Sequence, residues 1–255
     1  MPLSMFTLLS HQSLIIMLLS FVGSFFATNT GGVGLIMIPV LILFGLTPQQ
    51  SAATFRLGVT LGDFLSLHRL ERAGKVDRTM TVPVLLLGIA GGVIGSIVLI
   101  WTPGPLAEKL FSIFILSMVI VTLLKPNLGL QSQRHQSRRR RAVGYASIFF
   151  FSILSTYFSA ATGLLGRSAL MLCFGQTFLE SSATRKVQSL GMGMTATIIF
   201  VLSGSVHWIA AVSLVPAMTL GSLLGSAYAI RRGDRFVRSI FFVVVCATAF
   251  ILLLR

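Results

Sequence analysis

The chain has 255 residues, of which 55% are hydrophobic and only 10% are charged, and its mean hydropathy is +0.91. Soluble domains carry roughly a quarter charged residues, and a soluble fold of this size lacks the interior volume for so much apolar surface. The composition therefore excludes an ordinary soluble domain and predicts a membrane protein. The net charge of +14 is typical of basic cytoplasmic loops, and we expect no nucleic-acid partner.

Ten apolar runs follow one another along the chain. They span residues 13–27, 33–46, 51–70, 81–100, 106–124, 143–160, 168–174, 181–202, 208–230 and 236–254. A helix is expected for each, because an open backbone in lipid leaves its polar groups unpaired. The first run is interpreted as a retained helix and not as a cleaved signal peptide. The second and seventh runs are short, so we expect tilted, broken or re-entrant helices there.

The second half of the sequence repeats the first at a constant offset of 130 residues, the separation of Phe44 from Phe174 and of Arg56 from Lys186. The further matches join Gly45, Ser51, Ala53, Thr54, Gly74, Val76, Gly91, Gly95 and Ser96 to Gly175, Ser181, Ala183, Thr184, Gly204, Val206, Gly221, Gly225 and Ser226. A single ungapped offset across three runs indicates an internal duplication.

Basic residues lie in loops of the two halves that do not correspond to each other. They are Arg69, Arg72, Lys75 and Arg78 after the third run, and Arg231, Arg232, Arg235 and Arg238 after the ninth. Because basic loops stay cytoplasmic, corresponding loops fall on opposite sides of the membrane. We predict an all-α polytopic membrane protein of two inverted repeats with about five hydrophobic segments each. The repeats are residues 1–124 and 143–255, joined by a basic cytoplasmic linker at 125–142, and both termini face outward.

A polar, glycine-rich stretch precedes the second run and consists of Thr28, Asn29, Thr30, Gly31 and Gly32. A helix N-terminus offers free N–H groups and partial positive charge, which suit an anion, and glycine lets the backbone approach a ligand. The stretch at 162–168 is its partner in the second half. Two interpretations are open: these residues bind an anion, or the glycines only allow close helix packing.

Some charged residues lie inside apolar runs or beside them, where charge is costly and often functional. Arg56 and Asp63 share one helix face, so Asp63 either neutralises Arg56 or binds a coupling ion or proton. Arg167, Arg185 and Lys186 belong to the second half. These three cations and Arg56 either contribute positive charge to a binding site or extend to the lipid headgroups.

Other signals favour structural roles. His68 and His207 are expected at the membrane interface, and the small residues of the fourth and ninth runs are expected to pack helices together. No HExxH, GxSxG or P-loop motif occurs. We therefore predict no enzymatic activity, no cofactor, no metal site and no self-contained ATP-driven pump.

Four motifs occur in order in the first half: Gly31-Gly32-Val33-Gly34-Leu35-Ile36-Met37-Ile38-Pro39, Gly45-Leu46-Thr47-Pro48, Ser51-Ala52-Ala53-Thr54 and Gly74-Lys75-Val76-Asp77. Their order and duplication resemble the sulfite exporter TauE/SafE family of membrane permeases. The second half departs from that pattern: residues 163–167 lack the glycine cluster, Phe178 replaces the turn proline and His207 stands where Asp is usual. The resemblance implies transport of small anions such as sulfite or sulfur- and carbon-containing organic acids.

The sequence thus predicts a multi-pass secondary transporter that moves a small anion, such as sulfite, a sulfonate or another small organic acid, across the cytoplasmic membrane by alternating access. The predicted substrate-binding residues are Thr28, Asn29, Thr30, Gly31, Gly32, Arg56, Arg167 and Lys186, and Asp63 is predicted to couple transport to an ion or proton. A passive anion channel and a non-transporting scaffold subunit are the alternatives. The expected partners are the anion and the lipid bilayer, with a homodimer left open.

Overall fold

The computed structural model describes residues 3–27, 33–74, 76–124, 138–159 and 162–253, and the side chains considered below lie between residues 13 and 232. All regular structure in these residues is helical, which confirms the predicted fold class. The helices are α1 (Leu3–Ala27), α2 (Val33–Leu43), α3 (Pro48–Arg72), α4 (Arg78–Trp101), α5 (Gly104–Leu124), α6 (Arg138–Phe158), α7 (Thr162–Phe174), α8 (Phe178–Leu202) and α9 (Trp208–Leu253).

Several helices run further than the hydropathy pattern predicts, and two of them, α6 and α9, continue through charged residues. The ninth and tenth runs form one continuous helix, α9, which has 46 residues. Helix α6 begins at Arg138, before the predicted start at 143, so part of the predicted linker is helical. The reason is the same in both places: arginine is a good helix former, and a single glycine costs only about 1 kcal/mol. Charge marks where a chain leaves lipid, but it does not end a helix.

The two short runs form short helices, as expected. Helix α2 has 11 residues and α7 has 13, so they are about 16 and 20 Å long at 1.5 Å per residue. Both are shorter than the hydrocarbon core of a bilayer, which is about 30 Å thick. Each is followed by a glycine in the left-handed region, Gly45 with φ 90° and Gly175 with φ 64°. Glycine adopts this conformation without the cost that a side chain adds.

The duplication is visible in the helix ends. Helices α3 and α8 have 25 residues each and start with a capping box, formed by Thr47 with Gln50 and by Thr177 with Glu180. In such a box each residue's side chain accepts a hydrogen bond from the other's backbone N–H. Phe178 therefore starts α8 without the proline that starts α3. The capping box is the same at both helix starts, with the proline and without it.

The helix contacts are exchanged between the two halves. Helix α1 packs on α9 as α6 packs on α4, while α3 packs on α9 as α8 packs on α4, and α3 and α8 contact each other. Small residues allow these approaches. A Cβ atom added to Gly92 would lie 2.6 Å from the Met192 Cα, and one added to Gly62 would lie 3.0 Å from the Ser222 Cβ. These two contacts are equivalent under the repeat, so the duplication extends to the packing.

Among the described residues, two helical stretches are long and apolar enough to cross a membrane, Arg78–Trp101 and Trp208–Arg232. Large apolar side chains on these stretches point outward, including Val82, Leu86 and Val212. Extended apolar surface of this kind is unusual on a soluble monomer and is stable against lipid. The helices are consistent with a polytopic membrane protein.

A buried cationic cluster between the central helices

Four basic side chains lie inside the protein, where α3, α7 and α8 meet. The exposed fractions of Arg56, Arg167, Arg185 and Lys186 are 2%, 3%, 8% and 2%. Side chains that extend to lipid headgroups keep their charged ends at the surface, so that alternative is wrong for all four. Removing a charge from water is costly unless the charge gains a partner. The partners of each side chain therefore show which of its hydrogen-bonding groups remain unsatisfied.

Asp63 on α3 pairs with Lys186 on α8. The Lys186 Nζ donates to Asp63 Oδ1 over 2.8 Å. The sequence placed Asp63 on the same helix face as Arg56, and the two do interact electrostatically. The direct partner of the carboxylate is nevertheless on the other repeat. This contact depends on how α3 and α8 cross, which a helical periodicity does not reveal.

Arg56 has one weak side-chain partner. Its Nη2 lies 3.4 Å from the hydroxyl of Ser159, which in turn lies 3.4 Å from the carbonyl oxygen of Ala52. The Arg56 Nε is buried and has no hydrogen-bond partner among the described residues. Ser159 follows α6 and has φ 50°, in the left-handed region that non-glycine residues rarely adopt. Backbone strain of this kind is concentrated at functional sites.

Arg167 on α7 has the least satisfied guanidinium group. Its Nη2 donates to the Ser182 hydroxyl over 3.1 Å, while Nε and Nη1 are buried and lack partners among the described residues. Because arginine stays protonated, these nitrogens keep their N–H groups. The arrangement leaves two buried donor nitrogens on one planar group, which suits an oxygen-rich anion.

Arg185 is held by an amide. It donates from Nη1 to Gln188 Oε1, and the Gln188 Nε2 donates to the Ile148 carbonyl and the Ser152 hydroxyl, both over 2.7 Å. The guanidinium also packs on Gly166, where an added Cβ would lie 3.0 Å from Nη1. Gly166 therefore makes room for the arginine, and Gln188 fixes it to α6.

The cluster carries an excess of positive charge. Four cations against one carboxylate leave three positive charges within the described side chains. Arg185 interacts electrostatically with both Arg56 and Arg167, so the like charges are close enough to repel. Such an excess is unfavourable in a low-dielectric interior. A bound anion would relieve the repulsion and would accept hydrogen bonds from the free guanidinium nitrogens.

The remaining predicted site residues, Thr28, Asn29, Thr30, Gly31 and Gly32, lie outside the described residues. Their role in binding stays a prediction. Sequence reasoning missed Ser159, Ser182 and Gln188, which orient the arginines. Neutral polar residues are common in membrane helices and carry no signal comparable to a charge. In the part of the chain that the structure describes, no group of three His, Cys, Asp or Glu side chains could hold a metal.

The two histidines have different surroundings. His68 is exposed near the end of α3. His207 Nδ1 accepts the backbone N–H of Ala210 over 3.2 Å and so caps α9. In the first half Asp77 caps α4 by accepting the Thr79 N–H over 2.9 Å. The histidine thus keeps the capping role of the aspartate at the equivalent position.

Comparison with known proteins decides the family. Residues 16–252 match the family described as Sulfite exporter TauE/SafE. The chain belongs to this family. As a member of the TauE/SafE family it is a membrane transporter, and the resemblance to this family is confirmed.

Several curated relatives align along most of their length. A probable membrane transporter protein, ORF9, of Sinorhizobium sp is 24% identical over 95% of this chain and 93% of its own. A probable membrane transporter protein of Haemophilus influenzae is 23% identical over 88% of each chain. The probable membrane transporter protein YfcA of Escherichia coli strain K12 is 20% identical over 90% of this chain and 85% of its own. No solved structure shows significant similarity to the chain.

Proposed function

We propose that the protein is a secondary transporter that moves a small anion, such as sulfite, a sulfonate or another small organic acid, across the cytoplasmic membrane by alternating access. The observation that carries this proposal is the excess of three positive charges in the buried cluster. Membership of a transporter family supplies the reaction class. The excess positive charge of the cluster favours a negatively charged substrate.

The guanidinium groups provide the binding chemistry. A planar guanidinium donates parallel hydrogen bonds to two oxygen atoms of a sulfite, sulfonate or carboxylate group. Arg167 has two buried nitrogens without a partner among the described residues, Nε and Nη1, and Arg56 has one. The two nitrogens of Arg167 lie on different edges of its guanidinium, so a parallel pair of bonds would combine one of them with the second N–H of Nη2. We assign substrate binding to Arg56, Arg167 and Lys186, together with the backbone and hydroxyl donors predicted at 28–32. Arg185 joins the set because it lies in the same cluster.

The exchanged contacts of the two halves support the proposal of alternating access. In inverted-repeat transporters the substrate site lies between the repeats, and one repeat rocks against the other to open each side in turn. Here α3 and α8 contact each other and carry three of the four cations. A rocking movement about this contact would expose the cluster first to one side and then to the other.

The site assignment is tested by uptake of radiolabelled sulfite and methanesulfonate into proteoliposomes. Arg167→Gln and Arg56→Gln each remove a buried charged donor and should lower uptake at least about tenfold. Arg72→Gln is the matched control, because Arg72 is an exposed arginine at the end of α3, and it should transport normally. Normal uptake by both buried-site variants would show that the anion binds elsewhere.

Counterflow separates a carrier from a channel. Unlabelled methanesulfonate inside the liposomes should accelerate entry of the labelled compound, because a carrier returns faster when it is loaded. A passive channel would show no acceleration. A scaffold subunit would show neither uptake nor a shift of its melting temperature with any anion of the panel.

A further inference from the structure

The repeat is broken at the acidic member of the cluster, Asp63. Arg56 corresponds to Lys186, whereas Asp63 corresponds to Gly193. The mirror image of the Lys186–Asp63 ion pair would therefore join Arg56 to residue 193, which has no carboxylate. A Cβ atom added to Gly193 would collide with the Thr60 hydroxyl, so the close packing of α3 on α8 leaves no room for an acid. One of two equivalent cations has an anionic partner, and the other has a serine hydroxyl.

We propose that Asp63 is a proton-binding site that couples the proton to the anion as a symport. This inference rests on the proposed function. When Asp63 takes up a proton from the side at which the anion enters, Lys186 keeps its own proton and loses its carboxylate partner. The anion then replaces the carboxylate as the partner of Lys186. On the other side the anion leaves, the proton is released, and the ion pair forms again.

The electrostatic surroundings of Asp63 set the sign of this coupling. With Asp63 ionised the cluster has three positive charges in excess, and with Asp63 protonated it has four. A more positive site binds an anion more tightly. Coupling is reciprocal, so a bound anion equally favours protonation of Asp63. Proton and anion therefore bind together, which is the requirement for movement in the same direction.

The groups around Asp63 agree with this role. Helix α8 contributes Lys186 and Arg185, α3 contributes Arg56, and all three are cations that interact electrostatically with the carboxylate. The side chain of Asp63 keeps 14% of its surface exposed and that of Lys186 only 3%. The carboxylate is thus the end of the pair that a proton reaches.

The other elements packed on α3 bring no competing acid to Asp63 within the described side chains. Helix α9 contributes the Ser222 hydroxyl, which donates to the Gly62 carbonyl, and the Leu223 carbonyl, which accepts from Arg69. Helix α2 has no titratable residue. Glu108 and Lys109 of α5 and Tyr157 of α6 belong to the opposite end of α3, where Gln49 and Tyr157 both bond to Thr102. Arg138–Arg141 of α6 are exposed.

The experiment measures proton and anion movement together. Proteoliposomes contain a pH-sensitive dye, and methanesulfonate is added outside. This probe stays ionised throughout the working pH range and cannot carry the proton itself. The unaltered protein should acidify the lumen as methanesulfonate enters. Any methanesulfonate uptake by Asp63→Asn should proceed without lumen acidification and without dependence on external pH. Glu71→Gln, an exposed acid on the same helix, should behave as the unaltered protein.

A binding measurement covers the case in which Asp63→Asn does not fold. The double variant Asp63→Asn with Lys186→Gln removes both charges of the pair, and its melting temperature is recorded with methanesulfonate at several pH values. For the unaltered protein, acidification should raise the apparent affinity at least about tenfold. The double variant should bind methanesulfonate more weakly, because Lys186 is one of the proposed ligands, and the affinity that remains should not change with pH.

The outcomes separate the two proposals. Anion uptake by the unaltered protein without acidification overturns the symport, and so does acidification by Asp63→Asn, while both leave the anion transporter intact. If the unaltered protein transports neither sulfite nor methanesulfonate, both proposals fall.

Discussion

Helices α3 and α8 have the same length, the same kind of N-terminal capping box and the same left-handed glycine shortly after their ends, at Gly74 and Gly204. Their buried charges differ. Within the cluster the first helix carries Arg56 and Asp63, while the second carries the adjacent cations Arg185 and Lys186. The two helices share the features that cap and pack them, and they differ in the charged residues of their middle parts. A symmetric scaffold therefore holds an asymmetric site.

The contacts that hold the scaffold can be broken at a glycine. Gly92→Ser should lower the free energy of unfolding by about 3 kcal/mol, because the new side chain would meet the α8 backbone and push α4 away. Thermal unfolding in detergent measures the loss. Gly104→Ser is the control, since nothing lies within 4 Å of a Cβ at that position. Equal melting temperatures for the two variants would contradict the close approach of α4 and α8.

The asymmetry of the site can be tested at Gln188, whose counterpart in the first half is Gly58. Gln188→Leu should lower the free energy of unfolding by about 2 kcal/mol, because it leaves Arg185 and a carbonyl of α6 without their buried partner. It should also weaken anion binding by displacing the guanidinium. Gln49→Leu, which removes a partly buried amide contact to Thr102, should cost less. A smaller loss of stability for Gln188→Leu than for Gln49→Leu would show that Gln188 does not hold Arg185 in place.

The smallest effect is expected where the two halves differ in residue type but not in role. His207→Ala and Asp77→Ala should each lower the free energy of unfolding by about 1 kcal/mol, the usual cost of losing an N-cap. His207→Asp should restore the stability, because aspartate caps the equivalent helix. Chemical denaturation in detergent distinguishes the three variants. If His207→Asp were as unstable as His207→Ala, the capping role of His207 would be wrong.

The sequence predicted what depends on composition and local pattern. Buried charges such as Arg56 and Arg167 stand out because each is costly in an apolar run, and the repeat offset is plain because Gly45 and Gly175 end equivalent helices. It did not reveal the partner of Asp63, because the crossing of α3 and α8 is a tertiary feature. It also missed Gln188, since an amide in an apolar run gives no strong signal. The sequence predicts a loop at Arg138–Arg141 because of their charge, whereas the helix propensity of arginine favours the helix that forms there.

Ser159 shows how the cluster reaches beyond its charged members. A glycine would adopt its left-handed conformation with less strain, and the turn alone would select that residue. Glycine, however, would leave the guanidinium of Arg56 without a hydroxyl neighbour. The hydroxyl of Ser159 therefore serves the side chain of Arg56, which lies 103 positions away in the sequence. A substitution at either position removes a hydrogen-bonding partner of the other residue.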